Sequence, residues 1–516
     1  MSQQVENQTV KEENSSQKWL ALIAIIMGTF VSVLNNSLIN VALPELVTVF
    51  GSTTEVIQWV LTGFMLASAV VIPLSGYLGD RFGYKKVFLG SLIAFVLGSL
   101  LCGFAWNDTS IIIFRIVQGV GGGLIMPVGM AIIYMLIPRH QIGMALGIWG
   151  VAAMVAPAVG PTLSGYLIEY FSWRLLFFMN VPVGIISVIF GMILLKETPI
   201  KENLKFDFPG AILSIIGFGT LLYALSKGQS EGWDSFMIVS FLIVAFFSLV
   251  LLVIVELGTD QPVLDVRFFK NPIFAISTLT SGLVMIGMFG GVFLVPLYLQ
   301  NIQGLTPIDT GLLLMPQSIA MAFMMPISGK LFDKFGVVPL GLVGISILGI
   351  TTYELHMLTQ QTPNHWLNTI LTIRGLGIGL CMMPLTTVGM ATIAKEQVGR
   401  ASSVSNVIRQ VMASFGIAIL TTIMTQRQNY HVAQINDSVT STNIWATDFI
   451  STLTGLYGQY GVDAITGRGF ASQILGGLIV KEAAVRAIAD TFVASAIPVF
   501  LCLPLLFLLR KRKESV

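Results

Sequence analysis

Residues 76–83 read GYLGDRFG, and residues 329–336 read GKLFDKFG. Both fit G-x-L-x-D-[RK]-x-G, and both close a long apolar run. A second echo follows each: RIVQGVGGG from Arg115 and RGLGIGL from Arg374, with a proline further on, Pro127 and Pro384. A motif pair repeated in the same order marks an internal duplication. The chain therefore reads as two similar halves, and the rest of the sequence is parsed around them.

Composition sets the solvent. Of 516 residues, 54% are hydrophobic and only 10% charged, with a mean hydropathy of +0.83. Soluble domains carry roughly 25% charged residues, so this surface is built for lipid. A spanning helix needs about 20 mostly apolar residues. That rule gives six spans at 19–42, 55–78, 87–105, 110–136, 141–168 and 174–195, then two at 207–226 and 236–256. Six more follow at 273–299, 308–331, 337–358, 366–392, 399–424 and 487–509. The expected fold is an all-α polytopic membrane protein: two six-helix bundles plus two inserted helices, fourteen transmembrane helices in all.

The expected organisation follows. Residues 1–18 are a polar, disordered tail, 19–195 the first bundle, and 196–272 the two extra spans with their flanking loops. Residues 273–424 hold the first five spans of the second bundle, 425–486 a long outer loop, 487–510 the last span and 511–516 a basic tail. Within the outer loop, KEAAVRAIAD is helical in pattern, and a short helical hairpin is expected there. Most of the 28 Lys and Arg, among them Arg81, Lys85, Lys86, Lys196, Lys201, Lys330 and Lys334, fall on one side. By the positive-inside rule that side, with both termini, is cytoplasmic.

Several function classes fall away. No G-x-x-x-x-G-K-[ST] loop is present, so no direct use of ATP is expected. His140, His356, His365 and His431 lack metal spacing, and Cys102, Cys381 and Cys502 are scattered through apolar runs as packing residues. No enzyme chemistry is expected. There is no basic stripe with interleaved aromatics, hence no nucleic acid.

With these motifs in order, the chain resembles the major facilitator superfamily, specifically the fourteen-span drug:proton antiporter branch of EmrB/QacA type. The likeness runs from LNNSLINVALP (34–44) to ASSVSNVIRQVMASFGIAI (401–419). It implies a secondary active exporter of amphipathic drugs or toxic compounds, driven by a proton gradient with no other cofactor, working by alternating access. The alternative is an exporter of one metabolite or lipid-like molecule with incidental drug resistance. A transport-inactive sensor on the same fold is the third reading, and intact motifs in both halves speak against it. Implied partners are a small amphipathic substrate and the bilayer, with the chain acting as a monomer. The outer loop either docks an adaptor protein or caps the outer vestibule.

The resemblance assigns roles residue by residue. Gly76, Asp80, Arg81 and Gly83, with Gly329, Asp333, Lys334 and Gly336, form a gating latch. Arg115 and Gln118 lie at the coupling site of the first half; Arg374 has the weaker claim, satisfied by backbone carbonyls. Pro157, Gly160, Pro161 and Gly165 in APAVGPTLSG match the antiporter signature, except that Ser164 stands for a usual glycine. Candidate pocket residues are Phe64, Met65, Met126, Met154, Met285, Phe289, Phe293, Gln317, Met321 and Met383, since methionine-rich surfaces adapt to varied ligands. The family pattern in span one is L-D-x-T-x-x-N-V-A-L-P, and here the aspartate position is Asn35. An amide hydrogen-bonds but does not titrate. Asn35 is placed in the cavity, Asn36 and Asn40 as interhelical glue. A proton carrier must then lie elsewhere, with Asp309 the first alternative and Glu354 the second; Glu55 and Asp490 complete the acids near spans.

Overall fold

Lipid offers no hydrogen-bond partners, so a chain of this composition satisfies its backbone inside helices. The computed structural model describes residues 2–138, 141–201, 204–440 and 443–509, with backbone alone over 2–17. His140 and the basic tail 511–516 lie outside the described residues. Among those described, every regular element is a helix. The first half holds α1 (Ser2–Phe50), α2 (Thr54–Val71), α3 (Ser75–Phe82), α4 (Tyr84–Gly103) and α5 (Asp108–Leu136). It continues with α6 (Ile142–Tyr170), α7 (Leu175–Phe178) and α8 (Asn180–Leu194). Two inserted helices follow, α9 (Phe208–Glu231) and α10 (Phe236–Gly258). The second half comprises α11 (Pro272–Asn301), α12 (Pro307–Phe335), α13 (Val337–Glu354), α14 (Asn364–Ala391) and α15 (Val398–Ser438). It ends with α16 (Ile444–Gln459) and α17 (Ala464–Leu508). Since α2 with α3, and α7 with α8, each cross as one, the described residues hold 14 helices long and apolar enough to cross a membrane.

Packing repeats between the halves. In the first, α1 packs on α6 and α8, α2 and α4 on α5, and α4 on α8. In the second, α11 packs on α15 and α17, α12 and α13 on α14, and α13 on α17. Both motif loops turn on a glycine at positive φ, Gly83 at 89° and Gly336 at 79°, a conformation that a β-carbon disfavours. The halves meet along α6 and α12, and α15 lies over α3 and α5. The inserted pair packs on itself, and α9 touches α2 of one half and α15 of the other. Lys227 Nζ donates to Gln58 Oε1 (2.9 Å) and Trp233 Nε1 to Thr422 Oγ1 (2.9 Å). The insert thus straps the two halves on one side, while α10, with a mean hydropathy of 3.2 and few buried residues, faces lipid.

Two expectations need correction. The leader, read as disordered, carries helical backbone from Ser2 straight into the first span. No proline or glycine interrupts residues 2–27, so the two strongest helix breakers are absent there. Much of the segment read as a loop, 425–486, is the continuation of spans: α15 runs 41 residues and α17 runs 45. At 1.5 Å per residue α17 is roughly 65 Å long, well beyond a bilayer core of about 30 Å. Between them α16 folds back onto α17 after a turn at Gly461, making a helical hairpin outside the spans.

Candidate functional site

The first repeated motif is built around a buried acid. Asp80 lies in the last turn of α3, and its Oδ2 accepts from Lys201 Nζ and Arg400 Nε, both at 2.8 Å. Tyr84 Oη donates to Asp80 Oδ1 (3.0 Å), and Lys201 N–H donates to the Asp80 carbonyl (2.9 Å). Arg400 opens α15 in the second half and Lys201 lies in the segment before the insert, so one carboxylate ties three parts of the chain. Gly76 makes this possible: a β-carbon there would stand 2.9 Å from Arg400 Cα. Beside it Ser403 Oγ donates to the Ile72 and Pro73 carbonyls (2.8 and 2.9 Å), and Ser402 Oγ to the Pro127 carbonyl (3.1 Å). The halves are closed at this motif end.

The second motif keeps the close backbone contact but is exposed where the first is buried. A β-carbon on Gly143 would lie 2.7 Å from the Gly329 carbonyl oxygen, so α6 and α12 touch main chain to main chain. Asp333 and Lys334, however, are exposed, and Lys334 lies over the Phe335 ring at 5.1 Å. The repeat explains the difference. In QVGRA (397–401) and QIGMA (141–145), Arg400 corresponds to Met144; in FGYKK and FGVVP, Tyr84 corresponds to Val337. The counterparts of Arg400 and Tyr84 in the second motif are thus apolar, Met144 and Val337.

Arg115, Gln118 and Asn35 come together inside the first half, all fully buried. Arg115 Nε donates to the Val60 carbonyl (2.8 Å) and Nη1 to Gln118 Oε1 (2.7 Å). Its guanidinium lies 4.2 Å from the centroid of the Phe64 ring. Gln118 Nε2 then donates to Asn35 Oδ1 (3.2 Å), which also accepts from Asn180 Nδ2 (3.0 Å). Asn180 further donates to Ser99 Oγ (3.2 Å) and to the Leu176 carbonyl (3.2 Å). The chain of amides orients a buried cation, and none of its members but the guanidinium carries charge. Asn35 Nδ2, Asn180 Oδ1 and Arg115 Nη2 lack partners among the described residues. Asn35 therefore sits in a sealed cluster between α1, α5 and α8, not on an open cavity wall.

The architecture and the motifs can be set beside known proteins. Residues 25–417 match the family model described as Major Facilitator Superfamily. The chain belongs to that superfamily. Among relatives, it is 41% identical over 433 residues to the uncharacterized MFS-type transporter YhcA of Bacillus subtilis (strain 168), covering 84% of this chain and 81% of the relative. It is 32% identical over 457 residues to the multidrug export protein EmrB of Escherichia coli (strain K12), covering 87% and 88%. These matches put it in the superfamily's multidrug-exporter branch. Its fold is similar to that of the proton:xylose symporter XylE, with a TM-score of 0.61 at 14% identity, over 95% of this chain and 97% of that one. This major facilitator chain is a multi-pass membrane transporter, not an enzyme.

The remaining assigned residues fall into place unequally. On α6 the antiporter signature faces α1: Ser37 Oγ donates to the Pro157 carbonyl (3.1 Å), and Gly160 leaves room for the Ser37 side chain. Ser164, where relatives of this type usually have glycine, is buried and donates to the Leu38 carbonyl (2.7 Å). Gly165 accommodates Ile308 of α12 at the other end of the same helix, and Pro161 lies inside the helix between them. Arg374 is fully buried, donating to the Gly287 and Met288 carbonyls (2.7 and 3.3 Å) and to Thr352 Oγ1 (3.2 Å). Gly291 is the residue that makes its berth, since a β-carbon there would occupy the guanidinium.

The candidate pocket residues do not form one surface. Phe64 is committed to Arg115; Met321 and Gln317 are buried, the former with Met154, Met285 and Phe289 in or against the second-half core. Met126 and Met383 belong to the first-half core, Phe293 to a separate cluster, and Met65 is exposed. A pocket of about 380 Å³ opens instead at the motif end, lined by Asp80, Tyr84, Lys196, Lys201 and Lys395, and none of those candidates lines it.

The alternative acids also lie apart from the arginine cluster. Asp309 is exposed at the start of α12, where its Oδ2 accepts from Thr306 Oγ1 (2.7 Å) and its N–H donates back (3.1 Å): an acid engaged with the Thr306 cap. Glu354 is half-buried at the last residue of α13, and Glu55 is exposed in the first turn of α2. Asp490 accepts from Arg427 Nε (2.6 Å) and pairs with His431 Nε2 (2.7 Å), joining α17 to α15. Asn36 is half-buried and Asn40 exposed. Sequence reading missed Asn180, an amide standing alone in FFMNVPVG, and Arg400, the basic residue that opens a span directly after the α14–α15 turn.

Proposed function

We propose that this chain exports amphipathic drugs or toxic compounds across the cytoplasmic membrane by alternating access, using proton antiport. The observation that carries the reading is the motif end, where Asp80, Arg400, Lys201 and Tyr84 join both halves through one carboxylate. Alternating access needs a closure that holds and then yields, and a charged latch between two otherwise rigid bundles provides one. The basic residues around it support a cytoplasmic position for this end. The structure then corresponds to a state closed inward, with release toward the outside. The relatives named as multidrug proteins support the substrate class. The chain works alone in the bilayer, and the α16 hairpin caps the outer face.

Proton coupling rests on a less direct argument. Asn35 cannot titrate, so a proton that moves with transport binds a carboxyl elsewhere. The deciding experiment is transport in proteoliposomes with an imposed pH gradient, comparing wild type, Asn35→Asp, and a double variant with Asp309→Asn and Glu354→Gln. Gradient-driven export by wild type that is lost in the double variant supports the reading. If only Asn35→Asp responds to the gradient, proton antiport is the wrong coupling for this chain.

A further inference from the structure

Arg409 takes no part in the site described above. It lies on α15 about two turns beyond Ser402 and Ser403, which close the motif end, or roughly 10 Å along the axis. Its guanidinium reaches three helices. Nη2 donates to Asn406 Oδ1 (2.8 Å) on α15, Nη1 donates to Thr386 Oγ1 (3.3 Å) on α14, and Nη2 also approaches Met130 Sδ (3.5 Å) on α5 of the other half. Tyr134, one turn along α5 from Met130, is buried within electrostatic reach of Arg409.

Arg115 and Arg374 are completely enclosed, but Arg409 is half-buried. An arginine turned to lipid at mid-span costs about 2.5–3.5 kcal/mol on insertion scales. Its polar partners lie on α5 of one half and on α14 and α15 of the other, so Arg409 sits between the halves, about two turns from the closure. Nothing neutralises it. No ion pair among the described residues includes Arg115, Arg374 or Arg409. Of the buried acids, Asp80 is held in the latch, Asp207 accepts from the Gly210 N–H at the start of α9, and Glu256 accepts from the Leu264 N–H. No ion pair among the described residues sets an acid beside Arg409, so its charge between the halves disfavours cations and attracts anions.

We propose that Arg409, with Thr386 and Asn406, is an anion-recognition site between the two halves. The exported molecules then carry a carboxylate, sulfonate or phosphate on an apolar body. A planar guanidinium suits such a group because it offers paired donors as well as charge. This assignment rests on the exporter reading and narrows its substrates to amphipathic anions.

The test separates the two claims. The full chain in lipid nanodiscs is titrated with dansyl-undecanoic acid, its methyl ester, and a dansyl trimethylammonium of equal chain length. Energy transfer from tryptophan reports binding after subtraction of empty discs. Wild type should bind the acid more tightly than the ester or the cation. Arg409→Gln should weaken the acid about tenfold or more and leave the ester unchanged, with Arg409→Lys between. Arg486→Gln, which breaks only a surface pair with Glu482, serves as the control. Equal binding of acid and ester by wild type overturns the proposal whatever the variants do, and so does an equal loss of both in Arg409→Gln. Flux is then measured separately. Arginine-dependent binding without flux of any probe keeps the site and overturns the exporter reading; flux of ester or cation without arginine-dependent binding does the reverse.

Discussion

At the scale of single residues, the molecule depends on a few charges held where water is scarce. Asp80 is almost fully buried and has three side-chain partners, so Asp80→Asn leaves Arg400 and Lys201 without their anion. Breaking a buried pair costs up to about 3–5 kcal/mol, and the half-exposed Lys201 lowers that figure here. The expected result is a shift of about tenfold or more toward opening at the motif end. Alkylation of a Ser402→Cys reporter by a maleimide from that side should accelerate accordingly; an unchanged rate would show that the latch does not hold the closure. Gly291→Ala tests the berth of Arg374. Its β-carbon displaces the guanidinium from the Gly287 and Met288 carbonyls, and a drop in thermal unfolding temperature of several degrees is expected. These effects were unevenly legible beforehand. Asp80 and Arg115 announce themselves as charges in apolar surroundings. Asn180 and Gly291 do not, because an amide and a glycine are common in spans and gain meaning only from what packs against them.

At the scale of helices, glycine and serine decide which faces meet. Gly143 and Gly329 let α6 and α12 touch backbone to backbone, a contact that no larger residue permits. Gly329→Leu should abolish transport while the chain still inserts, read as protein in the membrane fraction with no dye export; retained export would mean that this crossing tolerates separation. Ser164→Gly should be mild. It removes one hydrogen bond to the Leu38 carbonyl, worth about 0.5–1.5 kcal/mol, and restores the residue usual in the motif. Transport within a factor of about two and a small fall in unfolding temperature are expected. The α16 hairpin packs chiefly on α17, so replacing residues 440–462 by a short flexible linker should leave folding and dye export in liposomes intact. Loss of folding would assign the hairpin a role inside the bundle.

At the scale of the whole molecule, two bundles with the same packing plan differ in how they use it. Both motifs make a close turn and a tight helix crossing, but only the first is charged and buried, since Arg400 and Tyr84 have Met144 and Val337 as their counterparts. One crossing brings Gly143 and Gly329 main chain to main chain, the other carries the buried Asp80 ion cluster, and the insert ties both halves through Lys227 and Trp233. Composition, the period of the apolar runs and the repeated motifs were enough to determine the bilayer, the fourteen spans and the twofold plan, because lipid leaves a backbone no other way to pair its polar groups. Tertiary structure alone decided which side chains meet. It enclosed Asn35 with Gln118 and Asn180, engaged Asp309 with the Thr306 cap of α12, and set Arg409 between α5, α14 and α15. Helix faces are chosen by packing between segments hundreds of residues apart, and the local sequence of a span carries almost no record of its neighbour.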